Sequence, residues 1–208
     1  MHALTNTDVP AGNIAIHWFE QSTFALKDSG GSVVQVDPYY PRKRPDDKYI
    51  HADPPLDEST LRTDYILLTH AHSDHTCSES IERIRAAFPD VRVIGPEESI
   101  AQVLAETGVD EAHTQIVEAG DTAALGSMKA HTVYAKPPNG DPDADIGPPD
   151  VTHLGFVVEA DGVSVYISGD PINTFGDHES LIGAVADLEP DIGFLTNHPT
   201  EGEFPFFE

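Results

Sequence analysis

The sequence predicts an α+β chain in which two mixed sheets pack face to face with helices outside, and three observations carry that prediction. Short β-type runs fill the first third of the chain, strand and helix signals then mix, and polar residues capable of chemistry gather at strand ends. Runs at residues 14–19, 24–27 and 33–36 read as an N-terminal meander, separated by residues 20–22 and by Ser29-Gly30-Gly31-Ser32. After Asp37-Pro38, a loop rich in proline and charge spans residues 39–55 and holds Arg42, Lys43 and Arg44, the basic cluster of the sequence. Residues 65–68 form an apolar run of strand length that leads straight into Thr69-His70-Ala71-His72-Ser73-Asp74-His75-Thr76. Thr76 with Glu79 has the spacing of a capping box, and Ile81, Ile84 and Phe88 follow at helical intervals. The histidine-rich segment is therefore expected on a strand-to-helix loop.

Residues 91–94 read as the next strand, and a helix opens with Pro96 at its first position and stops at Gly108. Residues 115–133 read as short strands with turns at Gly120-Asp121 and Gly126-Ser127. Residues 136–150, with five prolines, two glycines and four aspartates, read as a surface loop over one face, because strand signals resume at once. Residues 152–160 and 163–168, joined by Asp161-Gly162, predict a hairpin with a type I′ turn. Its second strand ends in Ser168-Gly169-Asp170. A helix over 178–188 and a strand over 192–195, ending at Thr196-Asn197-His198-Pro199, complete the order. The length fits a single domain over residues 1–208.

Composition narrows the function classes. No run approaches the roughly 18 apolar residues of a membrane-spanning helix, and residues 1–10 lack the basic start and apolar centre of a secretory signal, so a cytoplasmic location is expected. Cys77 is the sole cysteine, which excludes an internal disulfide and a thiolate cage; a metal would be held by imidazole and carboxylate. Against 11 Lys plus Arg stand 36 Asp plus Glu, a net −25 spread along the whole chain. A field that large opposes folding in dilute salt and is tolerable when salt screens it, so it reads as a halophilic adaptation to a salt-rich cytoplasm; an ordinary acidic protein is the simpler alternative. Nucleic acid and anionic membrane are disfavoured as partners, since binding there rests on neutralising phosphates. A small-molecule substrate fits better.

The chemistry concentrates at residues 69–76. His70 and His72 lie two apart at a strand end, where period-two geometry puts both side chains on one side, able to share a metal ion. Asp74 and His75 follow as the chain turns and are offset towards a neighbouring position. Two ions about 3.5 to 4 Å apart are what a two-metal hydrolytic site requires. The bland reading, a polar surface loop, leaves each imidazole needing its own partner if buried. Asp170, ending an apolar strand, is the candidate bridge between ions, where a helix N-cap would be the commoner role of a lone aspartate. His131, taken at the end of the strand from Met128, is the candidate to complete the first metal's shell, against the reading of a structural histidine. The remaining histidines, His153 among them, read as surface or structural. Arg42, Lys43, Arg44 and Lys136 are cations that could meet an anionic substrate, or simply solvate a loop.

The pattern H-x-H-x-D-H after an apolar strand, then a distant His, then Gly-Asp at a strand end, resembles the metallo-β-lactamase superfamily. Within it, residues 18–24, Val36-Asp37-Pro38 and Ser168-Gly169-Asp170 resemble the branch of L-ascorbate-6-phosphate lactonase. The resemblance implies an αββα sandwich in which His70, His72 and His131 hold the first metal, Asp74 and His75 the second, and Asp170 bridges. It implies that Asp37 orients the histidine loop and that the metals are zinc or manganese. Two departures stand out: Glu20-Gln21 replaces a Gly-His frequent in relatives, and the family's last helix and strand, with a final His ligand, have no counterpart after residue 208. His198 is the substitute, either as that ligand or as lining of the substrate pocket. The implied activity is hydrolysis of a small, anionic lactone or phosphorylated ester by metal-bound hydroxide, with Asp74 catalytic and homo-oligomers compatible. An RNA phosphodiesterase of the same superfamily and a non-catalytic metal-binding protein are the alternatives.

Overall fold

Strands buried on both faces build the protein from two sheets. The computed structural model describes residues 1–46, 49, 51–142 and 145–196. Its first sheet runs in the order β1 (Ala15–Glu20), β2 (Thr23–Lys27), β3 (Val33–Val36), β4 (Tyr65–Leu67), β5 (Arg92–Gly95) and β6 (Thr114–Ile116). Pairs β1–β2 and β2–β3 are antiparallel, and β3 to β6 are parallel. The second sheet runs β11 (Ile192–Phe194), β10 (Val163–Ile167), β9 (Leu154–Ala160), β8 (Met128–Tyr134) and β7 (Thr122–Leu125), antiparallel except for the β10–β11 pair.

Because side chains alternate along a strand, each sheet presents two faces. Phe24, Leu26, Val34, Val36, Leu67 and Ile94 meet Leu154, Phe156, Val158, Val165 and Ile167 in one buried layer between the sheets. The intervening residues Ala25, Val33, Ile66 and Val93 face outward and are covered by Ile81 and Ile84 of helix α2 (Ser78–Ala87) and by Ile100 and Val103 of α3 (Glu97–Glu106). On the far side Val133, Val157 and Tyr166 pack against Val185 and Leu188, the former in α4 (Glu179–Ala186). The predicted helix–sheet–sheet–helix layering is thus present. A one-turn helix, α1 (Ala3–Asn6), also precedes the meander; its N-cap is the side chain of His2, an arrangement the polar N-terminus did not announce. No helix among the described residues is long and apolar enough to cross a membrane.

Local differences have physical causes. Helix α2 begins two residues after Thr76, because the Thr76 hydroxyl is taken by the carbonyl of His70 (2.7 Å) and by Ser99 (3.0 Å); Cys77 occupies the N-cap without a side-chain bond to the helix amides, its sulfur accepting from the Ser80 hydroxyl. Glu79, the other half of the expected capping box, instead pairs with Arg83 one turn on. Pro96 stands just before α3 as its N-cap rather than inside it. The hairpin turn has φ 53° at Asp161 and 79° at Gly162, the positive pair a type I′ turn requires.

Candidate metal centre

Three chain segments converge at the rim where the parallel strands of the first sheet end. The carbonyl of Thr69 accepts from the amide of Leu154 at 2.9 Å, which ties that rim to the start of β9. Gly169 then carries the end of β10 past it. Its φ is +58°, and a Cβ there would lie 2.7 Å from the Leu154 carbonyl oxygen and 2.8 Å from Cβ of Thr69, so any larger residue would push Asp170 out of place.

Asp37, fully buried with φ 44°, is the anchor. Its Oδ1 accepts from the amide of Thr69 (2.8 Å), and its Oδ2 accepts from the Thr69 hydroxyl (2.6 Å) and from Nδ1 of His75 (2.7 Å). Since the hydroxyl proton of Thr69 points to Asp37, its oxygen accepts from Nδ1 of His70 at 3.0 Å. His72 donates Nε2–H to Asp150 at 2.9 Å. Each of these three imidazoles has one nitrogen tied to an acceptor and turns the other towards the cluster, where a cation would take the place of any proton on it.

The remaining nitrogens face one another. Nε2 of His70 and Nδ1 of His72 are 3.0 Å apart, and His153 stacks on His70 with ring centroids at 4.0 Å and an interplanar angle of 27°. One donor atom from each of His70, His72 and His153 lies within 4.8 Å of the other two. A second group forms from His70, His75 and Asp170: Oδ1 of Asp170 is 3.3 Å from Nε2 of His75, and its Oδ2 is 3.9 Å from Nε2 of His70. Asp170 is thus a member of the second group, and the two groups share His70. Asp74 is half exposed, with Oδ2 3.9 Å from Nε2 of His75.

Burial, reinforced by His75, His153 and His72, holds His70 far below its ordinary pKa. Burial and the nearby Lys136 ammonium lower His153 to about 4. Burial also pulls His75 down, but Asp37 and Asp170 outweigh it and raise the imidazole to about 10. His70 and His153 are thus neutral, the state that ligates, while Asp37 and Asp170 make the His75 position attractive to a cation of some kind.

His131 does not join this cluster. It lies within β8, three residues and about 10 Å short of the strand end at Tyr134. Its alternation with Met128 and Ala130 turns it to the outer face, where it meets Thr122 (3.1 Å) and Glu159 (3.2 Å). His153 lies beside His70 and His72 instead. β9 runs antiparallel to β8, so its first residues lie beside the end of β8, and the carbonyl of His153 accepts from the amide of Ala135. Asp150 was also missed, lying inside the proline-rich loop that covers this side. His70 and His72 meet through a turn beyond β4, closed by the His72 carbonyl and the amides of His75 and Thr76, and not through strand pleating. His198 lies outside the described residues. Glu20 is held by Arg44.

Two clefts open on either side of Asp170. One, of about 540 Å³, is walled by Trp18, Phe24 and Phe194 and reaches Asp74 and His75. The other, of about 490 Å³, reaches His72 and is lined by Lys136, Ile146, Pro149 and Asp150.

Comparison with known proteins agrees with this geometry. The Beta-lactamase superfamily domain matches residues 15–188. A UPF0173 metal-dependent hydrolase of Staphylococcus epidermidis is 31% identical over 182 residues, covering 84% of this chain and 69% of its own. The crystal structure of a candidate metal-dependent hydrolase from Parabacteroides distasonis superposes with a TM-score of 0.57 at 24% identity, over 89% of this chain and 71% of that one. CmlA, a diiron β-hydroxylase from Streptomyces venezuelae, shares the fold with a TM-score of 0.58 at 21% identity, over 86% of this chain and 33% of its own. With the layered fold and the histidine cluster, these matches establish that the chain belongs to the metallo-β-lactamase superfamily, among relatives named as metal-dependent hydrolases.

Proposed function

We propose that this enzyme hydrolyses a small anionic ester or lactone with two divalent ions, zinc or manganese. His70, His72 and His153 would hold the first, His75 and Asp74 the second, and Asp170 would bridge. The observation that carries the reading is the shared orientation of His70, His72 and His75, each bonded to protein through one nitrogen while the other faces the cluster. The donor set suits such ions: nitrogen and carboxylate oxygen without thiolate, and a buried Nδ1 on His153 that has no hydrogen-bond partner among the described residues. Divalent ions supply Lewis acidity, lowering the pKa of a water and polarising the oxygen under attack.

The side chains do the rest. Asp37, through Thr69 and His75, fixes the rings so that none has to reorient as charge develops. Asp74, half exposed at the mouth of the aromatic cleft, is the group able to orient the attacking water and receive its proton. The two clefts accommodate the two halves of a cleaved substrate. A screen of lactones, phosphoesters and RNA, with zinc or manganese in high salt, tests this. Wild type should turn over one of the small-molecule classes, and Asp74→Ala should be slower by about 10²- to 10⁴-fold. Equal rates in the two proteins would refute the role of Asp74, and cleavage of RNA alone would move the enzyme to a phosphodiesterase.

The same proposal places the chain in a salt-rich cytoplasm. With −25 charges on 208 residues, raising KCl from about 0.1 M to about 1 M shortens the screening length from about 10 Å to about 3 Å. The thermal midpoint should rise by several degrees. An unchanged or lower midpoint would count against a halophilic adaptation.

A further inference from the structure

The basic side chains that the sequence offers to an anion separate in the structure. Arg42 reaches Glu58, with Nη2 to Oε2 at 3.2 Å, and Arg44 pairs with Glu20 while packing on the ring of Tyr49. Lys43 is exposed on the loop. Lys136 is half-buried and is the one lysine or arginine among the described residues that lines either cleft. Its Nζ lies 3.3 Å from Nε2 of His153.

That contact is incompatible with a metal on His153. An ammonium only donates, so Nε2 must present its lone pair to Lys136, and Nδ1, buried and without a partner among the described residues, carries the ring proton. If a metal takes Nε2, that lone pair is gone. If a metal takes Nδ1, the proton moves to Nε2 and opposes the ammonium. In both cases Lys136 has to release His153, and the cleft it lines is where it can turn. The acids facing that cleft are engaged, Asp150 by His72 and Asp170 by His75 and His70.

We infer that Lys136 is the specificity residue of this site: freed by metal loading, it holds an anionic oxygen group of the substrate, carboxylate or phosphate, beside the scissile bond. The inference rests on the hydrolase reading above and explains how a chain this acidic would accept an anion.

The test compares wild type with Lys136→Met, Lys136→Gln and Lys136→Arg, each loaded with zinc. Calorimetric titration with succinate, methyl phosphate and neutral dimethyl succinate reads binding without turnover, and chelator competition reads zinc affinity. Removing the ammonium should weaken whichever anion the site takes by about tenfold, the loss of one charge-assisted hydrogen bond. It should leave the neutral diester unchanged and leave zinc affinity equal or tighter, with Lys136→Arg recovering most of the anion binding. The responding anion separates a carboxylate from a phosphate substrate, and for a hydrolysed anionic ester the loss should fall on KM rather than kcat. Anion binding that ignores the substitution, or that falls only alongside zinc affinity, overturns the inference. Esters hydrolysed by wild type and variant with the same preference would refute Lys136 alone and leave the hydrolase reading intact. Lys136-dependent anion binding without any turnover would do the reverse.

Discussion

Replacing Asp37 by alanine is expected to destabilise the fold by about 3 kcal/mol, the cost of stranding buried groups that had an ionised partner, and to weaken metal binding by about 10- to 100-fold. Three donors converge on this one carboxylate: the Thr69 amide, the Thr69 hydroxyl and the His75 imidazole. Without it the buried Thr69 amide has no acceptor there, and His70 and His75 lose the arrangement that fixes which nitrogen of each is free. Its left-handed backbone stores strain of order 1 kcal/mol, which the three bonds offset. Asp37→Asn should lose nearly as much metal affinity, because one amide end would set a donor against the existing donors. Urea unfolding and chelator competition read the two effects; a Asp37→Ala protein within twofold of wild type in metal affinity would refute the orienting role.

The second large effect is expected at His153. Substituting alanine there should lower kcat/KM by at least about 10³-fold, since one donor of the first group is lost and the proposed hydrolysis would rest on an ion held there. His131→Ala should change stability by no more than about 0.5 to 1 kcal/mol and leave kinetics alone, because its ring meets Thr122 and the half-exposed Glu159 on the outer face. The two variants together separate a cluster ligand from a strand histidine near it in sequence.

Legibility in the sequence followed how local each feature is. Apolar runs such as 33–36 and 65–68 mark strands because a short continuous run buried on both faces is a local property, and the layer order follows from where helices interrupt them. The loop with His70, His72 and His75 was readable because its residues are contiguous, and Asp37 and Asp170 because each ends an apolar strand. The choice between His131 and His153 was not local. It depends on where β8 stops and on the antiparallel pairing that sets the start of β9 beside that end; with the strand end at Tyr134 rather than His131, it is β9 that brings a histidine to the cluster. The mismatch at Thr76 has a similar origin, since its hydroxyl is drawn to His70 and Ser99 by tertiary contacts that no capping pattern contains. Asp150 carries no local signal for the same reason: its partner His72 is 78 residues away.

The central claim, that these residues form a two-ion centre, is tested most directly by counting metal in purified protein with mass spectrometry. Wild type and His131→Ala should each carry two divalent ions per chain, and His153→Ala no more than one. A wild type without metal, or a His131→Ala protein that loses an ion while His153→Ala keeps two, would contradict the account.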